Sequence, residues 1–461
     1  MSDNLVEPPE RVLSTLNPDG TRRWMRPKAA MGKWWNRRRV VAWILMIMFT
    51  AIPWLKVGGR PVMLLDVMNR EFTFFGTTFQ PTEALLLALL LIGVFFGIFL
   101  ITAILGRGWC GWACPQTVYL EFLYRPIERW AEGNKSGNSK KQVPIWRKVM
   151  KYTLFLVFSL HLSNTFLAYF AGPTEVLSWS FHNPGDHMAA FGVVMVVTAL
   201  MMYDFVFFRE QMCTLVCPYA RLQSVLLDRN SLIVGYDEKR GEPRGKKRHN
   251  PEAETPQGDC IDCGLCVAAC PTGIDIRDGL QLECIACTQC IDACDTVMEK
   301  IERPKGLIRF ASQNSLAGVI AKKFRPRLVV YPLLLVFIFG GLGYGLSHRA
   351  SSEAMILRNQ GSVPAQSGEF MVQPVSLRIS NRSPEARTYT LEVTSPSEVK
   401  GNPFPLTLEA YGMQKVNLPV FTPIDAFVNG KALLQIKISD GEDFHADLEK
   451  TLFGSGAVSS E

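Results

Sequence analysis

Long apolar runs alternate with charged segments through most of this chain, and a period of two replaces them in the last hundred or so residues. Five runs approach the length needed to cross a hydrocarbon core of about 30 Å, which takes about 20 helical residues. They cover residues 40–55, 84–105, 152–171, 189–208 and 328–346. The first is the shortest and has Pro53 near its end. The last closes on Gly340, Gly341, Gly343 and Gly345, small residues that let helices approach closely. Beyond it, Val375, Leu377 and Ile379, then Tyr389, Leu391 and Val393, alternate with polar positions. The same beat returns at Leu406, Leu408 and Ala410, at Val416, Leu418 and Val420, and at Leu434, Ile436 and Ile438. Such alternation predicts strands, and their spacing between Pro, Gly, Asn and Asp turns predicts a small immunoglobulin-like sandwich over about residues 368–453. With no cysteine and no catalytic-type cluster, that sandwich reads as a docking module.

Charge adds direction to this pattern. The chain has 461 residues, 48% apolar and 20% charged, and a net charge of +7. That is ordinary for folded protein and argues against disorder. Lys and Arg are disfavoured where a loop is translocated. Residues 21–39 carry eight Lys or Arg and no acid, residues 106–151 carry nine against three Glu, and residues 172–188 carry none. The expectation is a multi-pass protein of a bacterial inner membrane, its first span an uncleaved anchor, its N-terminus cytoplasmic and its C-terminal domain periplasmic. The expected organisation is a basic N-terminal segment (1–39, its first 30 residues poorly ordered), a four-helix membrane region (40–235), a charged linker (236–257), a two-cluster ferredoxin domain (258–303), a basic juxtamembrane segment (304–327), a fifth span (328–346) and the β-domain (347–461). The linker's Lys239, Arg240, Arg244, Lys246, Lys247 and Arg248 suit anionic lipid headgroups. Without aromatic residues between them they do not suggest nucleic acid.

The chemistry lies in twelve cysteines. Cys260, Cys263, Cys266 and Cys270, followed by Pro271, spell C-x-x-C-x-x-C-x-x-x-C-P, and Cys284, Cys287, Cys290 and Cys294 repeat the spacing with Asp295 in place of proline. In this pattern three thiolates wrap one cubane and the fourth reaches the other. Cluster one would take Cys260, Cys263, Cys266 and Cys294, and cluster two Cys284, Cys287, Cys290 and Cys270. Zinc favours paired C-x-x-C knuckles with a longer spacer, and a reducing compartment disfavours disulfides.

The other four form a second repeat, Cys110-x-x-x-Cys114-Pro115 and Cys213-x-x-x-Cys217-Pro218, offset by 103 residues, since 213 − 110 = 217 − 114 = 103. On a helix, positions i and i+4 share a face, and the proline ends or restarts the helix. The two pairs would together offer up to four thiolates at the membrane surface, suited to monovalent copper without excluding zinc or another iron–sulfur centre. The plain alternative is small apolar residues packed at helix ends. Polar groups inside spans, His161, Asn164 and Asp204, either line an ion or quinone route or tie helices together. Met195, Met201, Met202 and Met212, with His182 and His187, could bind copper but are more often plain packing.

Taken together, the chain resembles the CcoG family, also called FixG or RdxA, of cytochrome c oxidase accessory proteins. The resemblance rests on Gly108 to Thr117 around the first pair, Cys213 to Pro218, Gly235-Tyr236-Asp237, Arg240 to Gly245, the two ferredoxin motifs and the terminal β-domain. It implies a cupric reductase that supplies Cu(I) for assembly of cbb-type cytochrome c oxidase. Two [4Fe-4S] clusters would carry the electrons, and Cys110, Cys114, Cys213 and Cys217 would be the catalytic, copper-binding residues. The implied partners are the oxidase or its copper-delivery proteins and an unidentified electron donor. The motif pair is also shared with quinol-oxidising carriers of the NapH type, so one alternative is an electron-transfer subunit linking quinone to another redox enzyme. A second is a non-enzymatic metal-binding scaffold or redox sensor. No dinucleotide fingerprint points to the electron donor.

Overall fold

The computed structural model describes residues 14–17, 19–68, 70–79, 83–132, 143–245, 257–319, 325–357, 365–383, 385–394, 397–399 and 403–454. They form two compact units, Met1–Leu342 and Gly343–Glu461.

In the first unit α1 (Lys33–Ala51) ends in a single 3₁₀ turn at Pro53. Short antiparallel strands follow, β1 (Lys56–Val57) with β2 (Arg60–Pro61), then a meander of β3 (Met63–Asp66), β4 (Glu71–Phe74) and β5 (Thr77–Phe79). α2 (Ala84–Leu105) leads into three short helices, α3 (Gly108–Trp112), α4 (Pro115–Tyr119) and α5 (Arg125–Glu132). After these come α6 (Ile145–Ala171), α7 (Pro173–Ser180), α8 (Met188–Tyr203) and α9 (Pro218–Leu226). Among the described residues four helices are long and apolar enough to cross a membrane: Ala84–Leu105, Ile145–Ala171, Pro184–Phe208 and Arg327–Ser347. The expected first span is helical but does not join this set, because Arg37, Arg38 and Arg39 fall inside α1 and only twelve of its residues remain beyond them. Where the bundle packs, Ser163 Oγ accepts from Thr198 Oγ1 at 2.9 Å and Tyr124 Oη pairs with Ser159 Oγ at 2.8 Å. These buried hydroxyls tie α6 to α8 and to the segment before α5, the kind of interhelical bond available where water is excluded.

The cysteine-rich part follows. β6 (Ile233–Tyr236) precedes the short helices α10 (Glu238–Gly241), α11 (Leu265–Ala268) and α12 (Gln289–Lys300), and pairs antiparallel with β7 (Ile308–Ala311), so the folded body extends past residues 258–303 on both sides. α13 (Gln313–Leu316) and α14 (Arg327–Ser347) complete the unit's helices. Val234, Ile274, Ile276, Ile291, Val297, Met298, Leu307 and Ile308 form its apolar core. In the charged linker, Arg240 Nε pairs with Asp259 at 2.5 Å and its Nη1 donates to Lys305 O at 3.0 Å, so this cation serves the fold rather than a lipid surface. Lys246, Lys247 and Arg248 lie outside the described residues.

The basic N-terminal segment differs from the expected loose tail. Ser14 Oγ donates to Thr272 O at 2.7 Å, Lys28 N to Ala268 O at 2.8 Å, and Met25 is buried beside Gly273. Residues 14–17 and 19–32 therefore run across the ferredoxin body. Polar composition misled here because the segment is held by backbone hydrogen bonds and ion pairs, not by an apolar stripe. Residues 1–13 lie outside the described residues.

The second unit is all β: β8 (Ser352–Leu357), β9 (Ala365–Ser367), β10 (Phe370–Asn381), β11 (Arg387–Val393), β12 (Glu398–Val399), β13 (Leu406–Leu408), β14 (Met413–Pro423), β15 (Lys431–Ser439) and β16 (His445–Phe453). One sheet has the order β12-β14-β10-β8 with β9 beside β10, and the other has the order β13-β11-β15-β16. Val375, Leu377, Ile379, Leu418 and Val420 from the first share one core with Tyr389, Leu391, Leu434, Ile436 and Ile438 from the second. The period-two positions are thus the inner faces of a sandwich.

Candidate redox site

The two ferredoxin motifs wind alike. Each passes through left-handed residues on either side of its second cysteine: Asp262 (φ 51°) and Gly264 (φ 66°) in the first, Ala286 (φ 52°) and Thr288 (φ 65°) in the second. Non-glycine residues hold such angles at a cost of about 1–3 kcal/mol each. Alternating backbone hands turn N–H groups into a concavity for an anion, as around iron–sulfur centres. Gly264 and Thr288 then open α11 and α12, which carry Cys266 and Cys290.

The thiols group across the motifs. Cys270 faces Cys284, Cys287 and Cys290, and Cys294 faces Cys260, Cys263 and Cys266. Cys266, Cys270, Cys284, Cys287 and Cys290 line a cavity walled otherwise by Val234, Ile274, Ile276 and Ile285. Burial pushes Cys266 and Cys284 up to about 11 and Cys287 and Cys294 up to about 12. Thiols so placed release their protons at neutral pH only to a metal. Among the described residues no three His, Cys, Asp or Glu side chains converge tightly enough for a single metal ion. This holds for Cys110, Cys114, Cys213 and Cys217 as well as for the eight ferredoxin cysteines, and it is the spacing of those eight that favours clusters over zinc.

The two C-x-x-x-C-P pairs have matching backbones. Cys114 (φ −63°, ψ 125°) and Cys217 (φ −62°, ψ 111°) are both extended N-cap residues, each followed by a proline that begins α4 or α9. The preceding turn stops at Trp112 in one copy and at Val216 in the other. The two cysteines of a pair therefore do not share one helical face, because the proline forces the residue before it out of the α region. The chain direction nevertheless gathers all four. Cys213 faces Cys110, Cys114 and Cys217, and Cys110 faces Cys114 and Cys217. Burial, helped by the neighbouring thiols, pushes Cys110 up to about 12 and raises Cys213. Cys110 Sγ donates to Gln223 Oε1 at 3.1 Å, and Gln223, fully buried, donates to Gly106 O at 2.8 Å.

This group packs directly on the ferredoxin body, Cys110 meeting Ile285 and Cys287. Arg38, 1% exposed, is the clasp: its Nε donates to Gly111 O and its Nη1 to Cys287 O, both at 2.9 Å. Arg107 Nη1 donates to Cys284 O at 3.0 Å and also to Leu282 O. A Cβ on Gly111 would stand 2.5 Å from Ile285 O, so only glycine admits this approach. From the other side, Asp292 on α12 accepts from Trp34 N at 3.1 Å and Trp35 N at 2.7 Å, capping α1. A buried charge network adds Arg22 and Arg125 on Glu210, Arg125 on Glu121, and Gln289 Nε2 on Glu121 at 3.2 Å. Sequence reasoning missed Arg38, Arg107, Asp292 and Glu210. Their partners lie far along the chain, and the cations read only as loop charge.

The other candidates fall mainly around two cavities. Asn164, His182, His187 and Met195 border one, where both imidazoles and Met195 are exposed and Asn164 bonds its own helix at Leu160 O. Met201, Asp204 and Met212 border the other, where Asp204 accepts from Gln116 Nε2 at 3.0 Å. His161 is exposed, and Met202 packs against the bundle core.

Membrane-type helices joined to a body built around two ferredoxin motifs define a membrane iron–sulfur electron-transfer protein. A 4Fe-4S dicluster domain family matches residues 208–313, and a 4Fe-4S binding domain family matches residues 87–133, whose cysteines are Cys110 and Cys114. The chain is 35% identical to Protein RdxB of Cereibacter sphaeroides, over 85% of each chain. It is 33% identical to Nitrogen fixation protein FixG of Rhizobium meliloti, over 81% of this chain and 79% of that one. It is 32% identical to Protein RdxA of Cereibacter sphaeroides, over 86% and 90%. The chain belongs to the FixG/RdxA family.

Proposed function

We propose that this protein is a cupric reductase which supplies Cu(I) for assembly of a cbb-type cytochrome c oxidase. The observation that carries the reading is that Cys114 and Cys217 neighbour Cys213, while Cys110 packs with Ile285 and Cys287 and Cys213 packs against that cluster. We assign Cys260, Cys263, Cys266 and Cys294 to one [4Fe-4S] cluster and Cys284, Cys287, Cys290 and Cys270 to the other. When bound, these clusters supply electrons singly. Each Cu(II) takes one electron to become Cu(I), the state that soft thiolates favour. The four-cysteine group binds the copper substrate, and Gln223 orients Cys110 within it. Arg38 and Arg107 hold the cluster-two loop against that group, and the apolar wall around it excludes water.

In this reading the N-terminus and clusters face the cytoplasm of a bacterial inner membrane, following the Lys and Arg bias of the loops. The β-domain, an immunoglobulin-like module, faces the periplasm and docks on the oxidase or its copper-delivery proteins. Chemically reduced protein, mixed anaerobically with Cu(II), should lose its reduced-cluster absorbance in step with Cu(I) captured by a chelator. The variant with Cys110, Cys114, Cys213 and Cys217 changed to Ser should keep its clusters and lose that step. Copper that leaves reduced clusters untouched, or full activity in the four-serine variant, contradicts the proposal.

A further inference from the structure

A cavity of about 720 Å³ near the four-cysteine group lies among the membrane helices and is almost wholly apolar. Leu45 and Phe49 of α1, Leu162 and Tyr169 of α6, and Leu200 and Met201 of α8 form much of its wall. One end of it reaches the chain on either side of Cys114 and just before Cys213. Ala113 and Pro115, the two neighbours of Cys114, and Met212, which precedes Cys213, line it. Met48, Leu200 and Tyr203 on the wall are exposed, so the cavity opens to the outside of the bundle.

Five residues with polar groups, Gln116, Tyr119, Tyr169, Tyr203 and Asp204, interrupt the apolar lining, and Tyr169 Oη is already bonded to Phe49 O at 2.7 Å. Asp204 accepts from Gln116 Nε2 at 3.0 Å, and both side chains border the cavity. Tyr119 also lines it; this residue is nine-tenths buried, and its hydroxyl has no hydrogen-bond partner among the described residues. A buried hydroxyl without a partner costs about 1–3 kcal/mol, a debt a ligand oxygen can cancel. Asp204 begins a π-helical segment, Asp204–Phe208, a distortion that frequently marks functional sites in helices. A mostly apolar slot with Gln116, Tyr119 and Asp204 in its lining fits a ligand with an apolar tail and a flat, oxygen-bearing head. A phosphodiester head would meet no Lys or Arg among the lining residues and would lie beside the Asp204 carboxylate.

We propose that the cavity binds a membrane quinone, with the ring between Tyr119, Gln116 and Asp204 and the tail toward Leu200. The quinol form is then the electron donor that sequence alone leaves open. A quinol hydroxyl donates to Asp204 and a ring oxygen accepts from Tyr119 Oη, while Gln116 Nε2, which already donates to Asp204 Oδ1 and Arg209 O, each at 3.0 Å, holds the carboxylate in place. The overall exchange rests on the copper reading: one quinol and two Cu(II) give one quinone, two Cu(I) and two protons. The binding site does not depend on copper.

The test is therefore a binding measurement made without copper. The full chain, in nanodiscs of phosphatidylethanolamine and phosphatidylglycerol, is illuminated with an azido-ubiquinone, digested and mapped. The expected result is label on peptides containing residues 113–119 and 200–212, displaced by decylubiquinone. Leu45→Trp, which fills the slot, and Asp204→Leu, which removes the acceptor, should each weaken displacement by about tenfold or more. Using both variants guards against one failing to fold. Label elsewhere, label insensitive to decylubiquinone, or unchanged binding in both variants would overturn the site and leave a slot for lipid chains. The copper reading is judged separately, by Cu(II) reduction with wild-type protein whose clusters are first reduced and then freed of excess reductant, with quinone removed.

Discussion

Gly111 carries the closest approach between the two cysteine systems, and adding one methyl group there should separate them. A Cβ at this position would stand 2.5 Å from Ile285 O and 2.9 Å from the carbonyl carbon and oxygen of Ala286, where ordinary contact begins at 3.4 Å. The deficit of 0.9 Å falls on backbone between Cys284 and Cys287, so no side chain can rotate away. Arg38 cannot relax it cheaply either, since its two hydrogen bonds, each 2.9 Å, clamp Gly111 O and Cys287 O together. Overpacking of this kind costs about 1–3 kcal/mol, and loss of a charge-assisted hydrogen bond adds about 1.5–3 kcal/mol. Gly111→Ala should thus destabilise the protein by a few kcal/mol and slow reoxidation of reduced clusters by Cu(II), even where iron content is kept. Gly97→Ala is the control: its Cβ would meet nothing within 4 Å, and Ala is the better helix former by about 1 kcal/mol. The assay pairs iron and acid-labile sulfide per chain with thermal unfolding and stopped-flow reoxidation. A Gly111→Ala protein matching wild type in all three would refute the claim that the two systems are in tight contact.

Two further substitutions probe the same contact. Arg38→Met removes a buried positive charge whose neighbours include Cys287 and Asp292, so the potential of the cluster nearest Cys287 should fall by roughly tens of millivolts. A redox titration followed by electron paramagnetic resonance measures this, and an unchanged potential would place Arg38's charge too far from the cluster to matter. Asp292→Ala strips the α1 N-terminus of its acceptor and should cost about 0.5–2 kcal/mol. Hydrogen exchange at Trp34 and Trp35 should rise with it; protection equal to wild type would mean that water replaces the cap without loss.

How far the sequence discloses this structure depends on the range of the interaction. The run from Ala84 to Leu105 is visible because every residue of a span meets the same solvent, and the observed helix has those ends. Strands β10, β11, β14 and β15 are visible because their inner positions obey a period of two across a single core. β1 to β5 are two to four residues long, too short for any period to register. β16 is masked because Lys450 takes one of its inward positions, between Leu448 and Leu452. The cysteine spacing makes the two sets of eight and four legible, as does the 103-residue offset. The spacing alone places each pair on one helical face; Pro115 and Pro218, equally legible, are what take Cys114 and Cys217 out of the α region. Arg38 acts on residues 73 and 249 positions away, and no local pattern marks a clasp of that range. The tyrosine, glutamine and aspartate around the membrane cavity come from two separate segments, and only the fold makes them neighbours.

The central claim is that copper is reduced at the thiols of Cys110, Cys114, Cys213 and Cys217. The most direct measurement is X-ray absorption at the copper edge on protein frozen after one anaerobic turnover with Cu(II), in wild type and in the four-serine variant. The account predicts a Cu(I) edge with sulfur as the dominant ligand in the wild type, and the loss of that sulfur shell in the variant. Copper that remains Cu(II), or Cu(I) bound by nitrogen and oxygen with the same spectrum in both proteins, would contradict it.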